Sequence, residues 1–159
     1  MISTEESIEV ILKDDRFVTL DLYHRTYNLL IRGEDAEFGK QGLTTQQYGI
    51  LLGLKILEKP VTVSGLASWS NRTPNSVTTI LRRMDENGLI ERLRNLDDKR
   101  ETQVLLTEHG EEAFSRSTRV AWEILKETCS GISNEDWEAF ARITQKITEN
   151  ASTMMSPGH

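Results

Sequence analysis

The stretch TVSGLASWSNRTPNSVTTILRRMDENG, Thr62 to Gly88, decides the fold. Its second half has a start and a stop written into it. Thr73 is a helix N-cap type, and Pro74 behind it is pre-set for the first helical position. Val77, Ile80, Leu81 and Met84 fall at i, i+3, i+4 and i+7, which is one apolar stripe. Asn87-Gly88 closes the helix, because glycine alone accepts the left-handed C′ position at no steric cost. Ahead of it, Val63 to Ser70 makes a shorter helix with Leu66, Ala67 and Trp69 turned inward. Asn71 between the two suits a tight turn that needs positive φ. The expectation is helix, turn, helix.

The face of the second helix opposite its stripe carries Asn75, Ser76, Thr78, Thr79, Arg82 and Arg83. Small hydrogen-bonding groups at the N-terminal end let a helix approach base edges in a major groove. Threonine methyls can meet thymine methyls, and asparagine can pair with adenine. The N-terminus of the helix adds free N–H groups suited to a phosphate. Ser64 and Thr73 join these as candidate DNA contacts. Exposed Ser, Thr and Arg on a helix usually form only a solvated face, so this reading depends on what surrounds the helix.

Outward to the C-terminal side, Leu89–Arg94 and Thr102–Leu106 read as two short strands around a polar loop. A hairpin of this kind is a wing, and Arg94, Lys99 and Arg100 supply cations for phosphates or an adjacent minor groove. Thr107 then caps a helix to about Cys129, with Val120, Ala121, Ile124, Leu125 and Thr128 as its apolar side. Ser133 caps a last helix with Trp137, Phe140, Ala141, Thr144 and Ile147 inward. Outward to the N-terminal side, Thr44 and Gln47 form a capping box, with Leu43 and Tyr48 at the staple positions. Ile50, Leu51, Leu54 and Leu57 give that helix its buried face, and Lys59-Pro60 ends it. Glu5 to Arg32 reads as helix, with Asp14-Asp15 as an interruption or a second start, and Gly33–Gly42 as a loop. The fold expected is mainly α with a small β-hairpin wing: a winged helix-turn-helix over 43–110, flanked by helices over 5–37 and 111–152, in one domain over 1–159.

The net charge of −6 speaks against a nucleic-acid partner until its distribution is read. Residues 1–59 carry −3 and residues 107–159 carry −4, whereas residues 71–106 carry +1. A locally basic face is what phosphate binding needs. No apolar run is long enough to cross a membrane, and the acidic start lacks the pattern of a signal peptide. A lone cysteine, Cys129, fits a reducing cytoplasm and reads as a structural thiol. His24, His109 and His159 are scattered, so neither an enzyme nor a metal or cofactor site is expected.

A set of short motifs then falls in order. Leu43-Thr44-Thr45-Gln46-Gln47-Tyr48, Val63-Ser64-Gly65-Leu66-Ala67, Ser76-Val77-Thr78, Asn87-Gly88-Leu89-Ile90-Glu91-Arg92, Asp97-Asp98-Lys99-Arg100 and Leu106-Thr107-Glu108-His109-Gly110 together resemble the MarR family of transcriptional regulators. The resemblance covers Leu43 to Gly110, with Gly65 where an acidic residue is common and Leu96 where proline is common. It implies a sequence-specific regulator of double-stranded DNA, a repressor released by a small effector. It also implies a homodimer, held by the N- and C-terminal helices, on a pseudo-palindromic operator. Asp98 matches the aspartate that orients the wing arginine, Arg100. An aromatic or anionic effector would sit between the dimer helices and the winged module, where Tyr23, His24, Tyr27 and Trp69 are the candidate side chains. The alternative from another class is a winged module that binds protein and does not read DNA sequence.

Overall fold

In the computed structural model, which describes residues 8, 10–94 and 102–155, the element order is α1 (Asp15–Gly39), α2 (Thr45–Ile56), α3 (Val63–Trp69), α4 (Pro74–Glu86), β1 (Ile90–Arg94), β2 (Thr102–Leu106), α5 (Glu108–Thr128) and α6 (Asn134–Met154). The chain divides into two compact units, Met1–Trp122 and Glu123–His159, with α5 running through the division.

Capping chemistry sets most of the boundaries in the first unit. Asp14 accepts from the Arg16 N–H and starts α1, which resolves the Asp14-Asp15 ambiguity in favour of a new helix. The Thr44 capping box is complete: Thr44 Oγ1 accepts from the Gln47 N–H at 3.2 Å, and Gln47 Oε1 accepts from the Thr44 N–H at 2.9 Å. Thr62 caps α3 through Gly65 N–H, and Thr73 caps α4 through Ser76 N–H, with Pro74 at the first position. Asn71 takes φ +51° and Gly88 takes φ +67°, as the turn and the C′ position require.

The core lies where α2, α3, α4 and the hairpin meet. Val77, Leu81, Met84, Leu66 and Leu51 are fully buried, and Ile50, Leu54, Ile90 and Val104 nearly so. The strands pair antiparallel from Ile90↔Leu106 to Arg94↔Thr102. A third segment extends this hairpin: the Val104 N–H donates to the Val61 carbonyl at 2.9 Å, and Thr62 bridges Gln103.

Two expectations needed correction. The stretch Gly33–Gly42 is helical as far as Gly39, and the connection to α2 is only 40–44. Glycine disfavours a helix interior by about 1 kcal/mol. Here the helix is held by tertiary contact instead: Phe38 is buried and stacks on Tyr48, with ring centroids 4.6 Å apart, and the Thr45 N–H donates to Asp35 at 2.7 Å. The second correction concerns the late helices. In α5 the residues buried within the chain are Gly110, Ala113 and Ser117, whereas Leu125 and neighbouring Trp122 are exposed. No residue of α6 is buried, and Phe140 and Ile147 face outward. Periodicity located these apolar faces, but they stay exposed among the described residues.

Candidate nucleic-acid interface

The helix α4 presents two faces of opposite character. Its apolar stripe is anchored: Val77, Leu81 and Met84 are fully buried and Ile80 nearly so. The remaining side chains are thereby turned out. Asn75, Thr78, Thr79, Arg82 and Arg83 are exposed, and Ser76 is half-buried. These six side chains are the candidate reading face. Two of its groups also serve the helix itself. Thr73 Oγ1 accepts from the Ser76 N–H at 3.2 Å, and the Thr79 hydroxyl donates to the Asn75 carbonyl at 3.0 Å. Ser64 is exposed on α3.

The hairpin is fixed to this helix by a pair that sequence reasoning missed. Arg92 Nε donates to Asp85 Oδ2 at 2.8 Å, joining β1 to the end of α4. The two lie seven residues apart across a turn, so only the turn's geometry brings them together. Arg94 holds the last position of β1. Asp98, Lys99 and Arg100 lie outside the described residues.

A groove of about 630 Å³ is lined by Asp35 and Thr44 and, from α4, by Ser76, Thr79, Ile80 and Arg83. Next to Asp35 in the chain, the Glu34 carboxyl is pushed above its ordinary range. Burial is the main cause and the neighbouring Asp35 charge the second, with a smaller opposing pull from Thr45.

The four candidate effector residues do not all converge. Tyr27 and Trp69 line one cavity of about 270 Å³, together with Ile31, Gly49, Ile50 and Arg72. Tyr23 and His24 are not among its lining residues; their rings stand 6.0 Å apart farther up α1. Trp69 is also less inward than expected. It remains 37% exposed, with its ring edge lying against α2 at Gly53. Arg72 is the addition that matters chemically, since it puts a cation at the rim of an aromatic cavity. It was legible as a charge next to the α4 cap, but its place in the cavity lining depends on the Asn71 turn.

Comparison with known proteins matches residues 43–102 to the MarR family. The chain is also 30% identical over 114 residues to the HTH-type transcriptional repressor MdtR of Bacillus subtilis (strain 168), covering 72% of this chain and 73% of that one. The chain belongs to the MarR family of transcriptional regulators. Two solved structures share the MarR fold at low sequence identity. The organohalide-sensing regulator RdhR, in its 2,4-dichlorophenol-bound form, aligns with TM-score 0.83 at 21% identity, over 91% of this chain and 86% of its own. The Mycobacterium tuberculosis regulator MosR, in complex with DNA, aligns with TM-score 0.76 at 20% identity, over 86% of this chain and 98% of its own. Both therefore speak to the fold, which is that of the winged-helix MarR regulators. None of the helices in the described residues is long and apolar enough to cross a membrane.

Proposed function

We propose that this protein is a sequence-specific DNA-binding repressor of transcription that acts as a homodimer and leaves its operator when a small aromatic or anionic effector binds. The observation that carries this reading is α4: a helix locked by its buried stripe, with Asn75, Ser76, Thr78, Thr79, Arg82 and Arg83 on the opposite surface. Such a helix enters a major groove, Arg82 and Arg83 meeting phosphate or guanine and Asn75 and Thr78 reading bases. Arg94, Lys99 and Arg100 anchor the wing, with Asp98 orienting Arg100. Ser64 and Thr73 contact the backbone of the DNA.

The dimer reading rests on exposed apolar side chains of the terminal helices. Phe17, Leu20 and Leu29 in α1, and separately Phe140, Ile143 and Ile147 in α6, are all 40% or more exposed. Surfaces of this kind call for a partner, and a second copy would set two α4 helices on the half-sites of a pseudo-palindrome. The segments 5–37 and 111–152 would form that interface. The effector reading rests on the cavity under Tyr27, Trp69 and Arg72. A ligand there must favour a dimer whose reading helices are misaligned with the operator. MdtR is a repressor and RdhR a sensor of organohalides by their names, which agrees with both parts. The role belongs to the cytoplasm and involves no catalysis.

Selection of bound sequences from a random DNA pool tests the central claim. A palindromic consensus is expected, with affinity that falls steeply with salt. Arg82→Ala should weaken binding to every sequence, whereas Asn75→Ala should change the preferred base at one position of each half-site. A pool that yields no consensus, or wild-type affinity in both Arg82→Ala and Arg100→Ala, would refute DNA reading.

A further inference from the structure

Strand β1 alternates against the expected sense for a hairpin lying on a core. Alternate residues of a strand share a face, and residues directly opposite each other in an antiparallel pair share it too. Arg92 stands two residues after Ile90 and opposite Val104, and both of these are buried. The face turned to the core therefore carries an arginine, while the other face carries Leu93, which is 47% exposed. A cation on the inner face calls for a reason, and Asp85 on the last turn of α4 supplies it. Arg92 Nε donates to Asp85 Oδ2 at 2.8 Å, and the two side chains remain only 33% and 36% exposed. Among the described residues no other side-chain bond joins α4 to β1 or β2. The remaining ties lie at the base of the hairpin. There the Leu89 N–H donates to the Met84 carbonyl, and Thr107 Oγ1 donates to the Gly88 carbonyl.

We propose that the Asp85–Arg92 pair is a strut that sets the angle of the wing to α4, so that the helix and the wing engage one DNA site together. The proposal rests on the DNA reading above. Ties at the base alone leave the hairpin free to tilt about them. A tie at Arg92, two residues beyond Ile90, acts farther from that pivot and resists the tilt. The charges agree with this role. Asp85 is an anion on the reading helix, one turn after Arg82, where DNA phosphate would repel it. Arg92 cancels that charge and is thereby withheld from phosphate. Both are positioning residues and neither touches DNA. A partly exposed ion pair adds little to folding stability, so the angle is what the pair serves.

The test is a double-mutant cycle on the full chain: wild type, Asp85→Ala, Arg92→Met and the double variant. Each is titrated against the consensus duplex that the wild type selects from a random pool. Urea midpoints of all four should stay near the wild-type value. Asp85→Ala should weaken binding about tenfold, although it removes a negative charge from a protein that binds a polyanion. Arg92→Met should weaken it by a similar factor, and the double variant by no more than either single, because the two side chains act as one unit. The salt dependence should become shallower by about 1 for each phosphate contact the wing loses, with the base preference of α4 unchanged. Tighter binding by Asp85→Ala, with loss confined to Arg92→Met, would show Arg92 to be a phosphate contact and overturn the strut. Losses that add in the double variant would overturn it as well. So would urea midpoints lowered by about 1 M in both single variants, since the pair would then hold the fold instead of the angle. If the wild type selects no consensus, the DNA reading falls and takes this proposal with it; the other outcomes leave that reading standing.

Discussion

Gly110→Ala should destabilise this protein, against the ordinary rule for helices. At an exposed interior site, replacing glycine by alanine gains about 1 kcal/mol, because glycine loses more backbone entropy on folding. Gly110 lies in the first turn of α5, where that gain would apply. Its surroundings reverse the sign. An added Cβ would sit 2.0 Å from the Leu89 carbonyl oxygen and 3.0 Å from Leu106 Cδ2. The nearest atom is backbone and must retreat by about 1.4 Å to reach ordinary contact at 3.4 Å. That backbone has little freedom. The Leu89 N–H donates to the Met84 carbonyl at 2.9 Å, and the Leu89 side chain is buried. The cap suffers as well. Thr107 Oγ1 accepts from the Gly110 N–H at 3.0 Å and donates to the Gly88 carbonyl at 2.6 Å, so separating α5 from the α4 turn pulls on both bonds. Overpacking costs about 1–3 kcal/mol and a lost cap about 1 kcal/mol, so the net after the helix gain is about 1–3 kcal/mol of lost stability. Urea unfolding at one fixed protein concentration should show the midpoint lowered by about 1 M. Gly39→Ala is the control, since that helical site is exposed and a Cβ there meets nothing within 4 Å; its midpoint should not fall. A Gly110→Ala midpoint equal to or above wild type, at unchanged slope, would show that the close approach of α5 to Leu89 is not a constraint of the fold.

Ser117→Ala should raise stability by about 1 kcal/mol, because the Ser117 hydroxyl is fully buried without a hydrogen-bond partner among the described residues and its desolvation goes uncompensated; a lower thermal midpoint would show that the hydroxyl is bonded in solution. Thr73→Ala removes the α4 cap and should cost about 1 kcal/mol, seen as a reduced urea midpoint, whereas Thr73→Ser should retain most of it. Glu34 should give the protein a distinctive pH response. Its folded pKa lies above the ordinary 4.5, so its proton is held more tightly in the folded state. Its contribution is full below that ordinary value and is lost as pH rises through the raised folded value. Glu34→Gln should therefore flatten the stability-against-pH curve just above pH 4.5 and stabilise the protein at neutral pH; an unchanged curve would remove Glu34 as its cause.

The sequence by itself determined the winged helix-turn-helix, because the signals that build it are local. A cap acts over three residues, a stripe over seven, and the positive φ of Asn71 and Gly88 at single positions. The outward face of α4 followed from its buried face, since a helix with one anchored stripe has no choice about the other. The same local logic failed at Gly33–Gly39, where Phe38 stacking on Tyr48 and the Asp35 contact to the start of α2 outweigh the cost of glycine. It also could not say that Arg72, Trp69 and Tyr27 share a cavity while Tyr23 and His24 do not, or that Asp85 holds Arg92. Those facts depend on where three helices and a turn meet. The glycines make the division plainest. Gly88 is explained by its own backbone angle, whereas Gly53 and Gly110 are explained only by the Trp69 ring and the Leu89 carbonyl that close against them. Chain-local geometry can be read from residue type, but a close approach between distant segments exists only once the tertiary structure has formed.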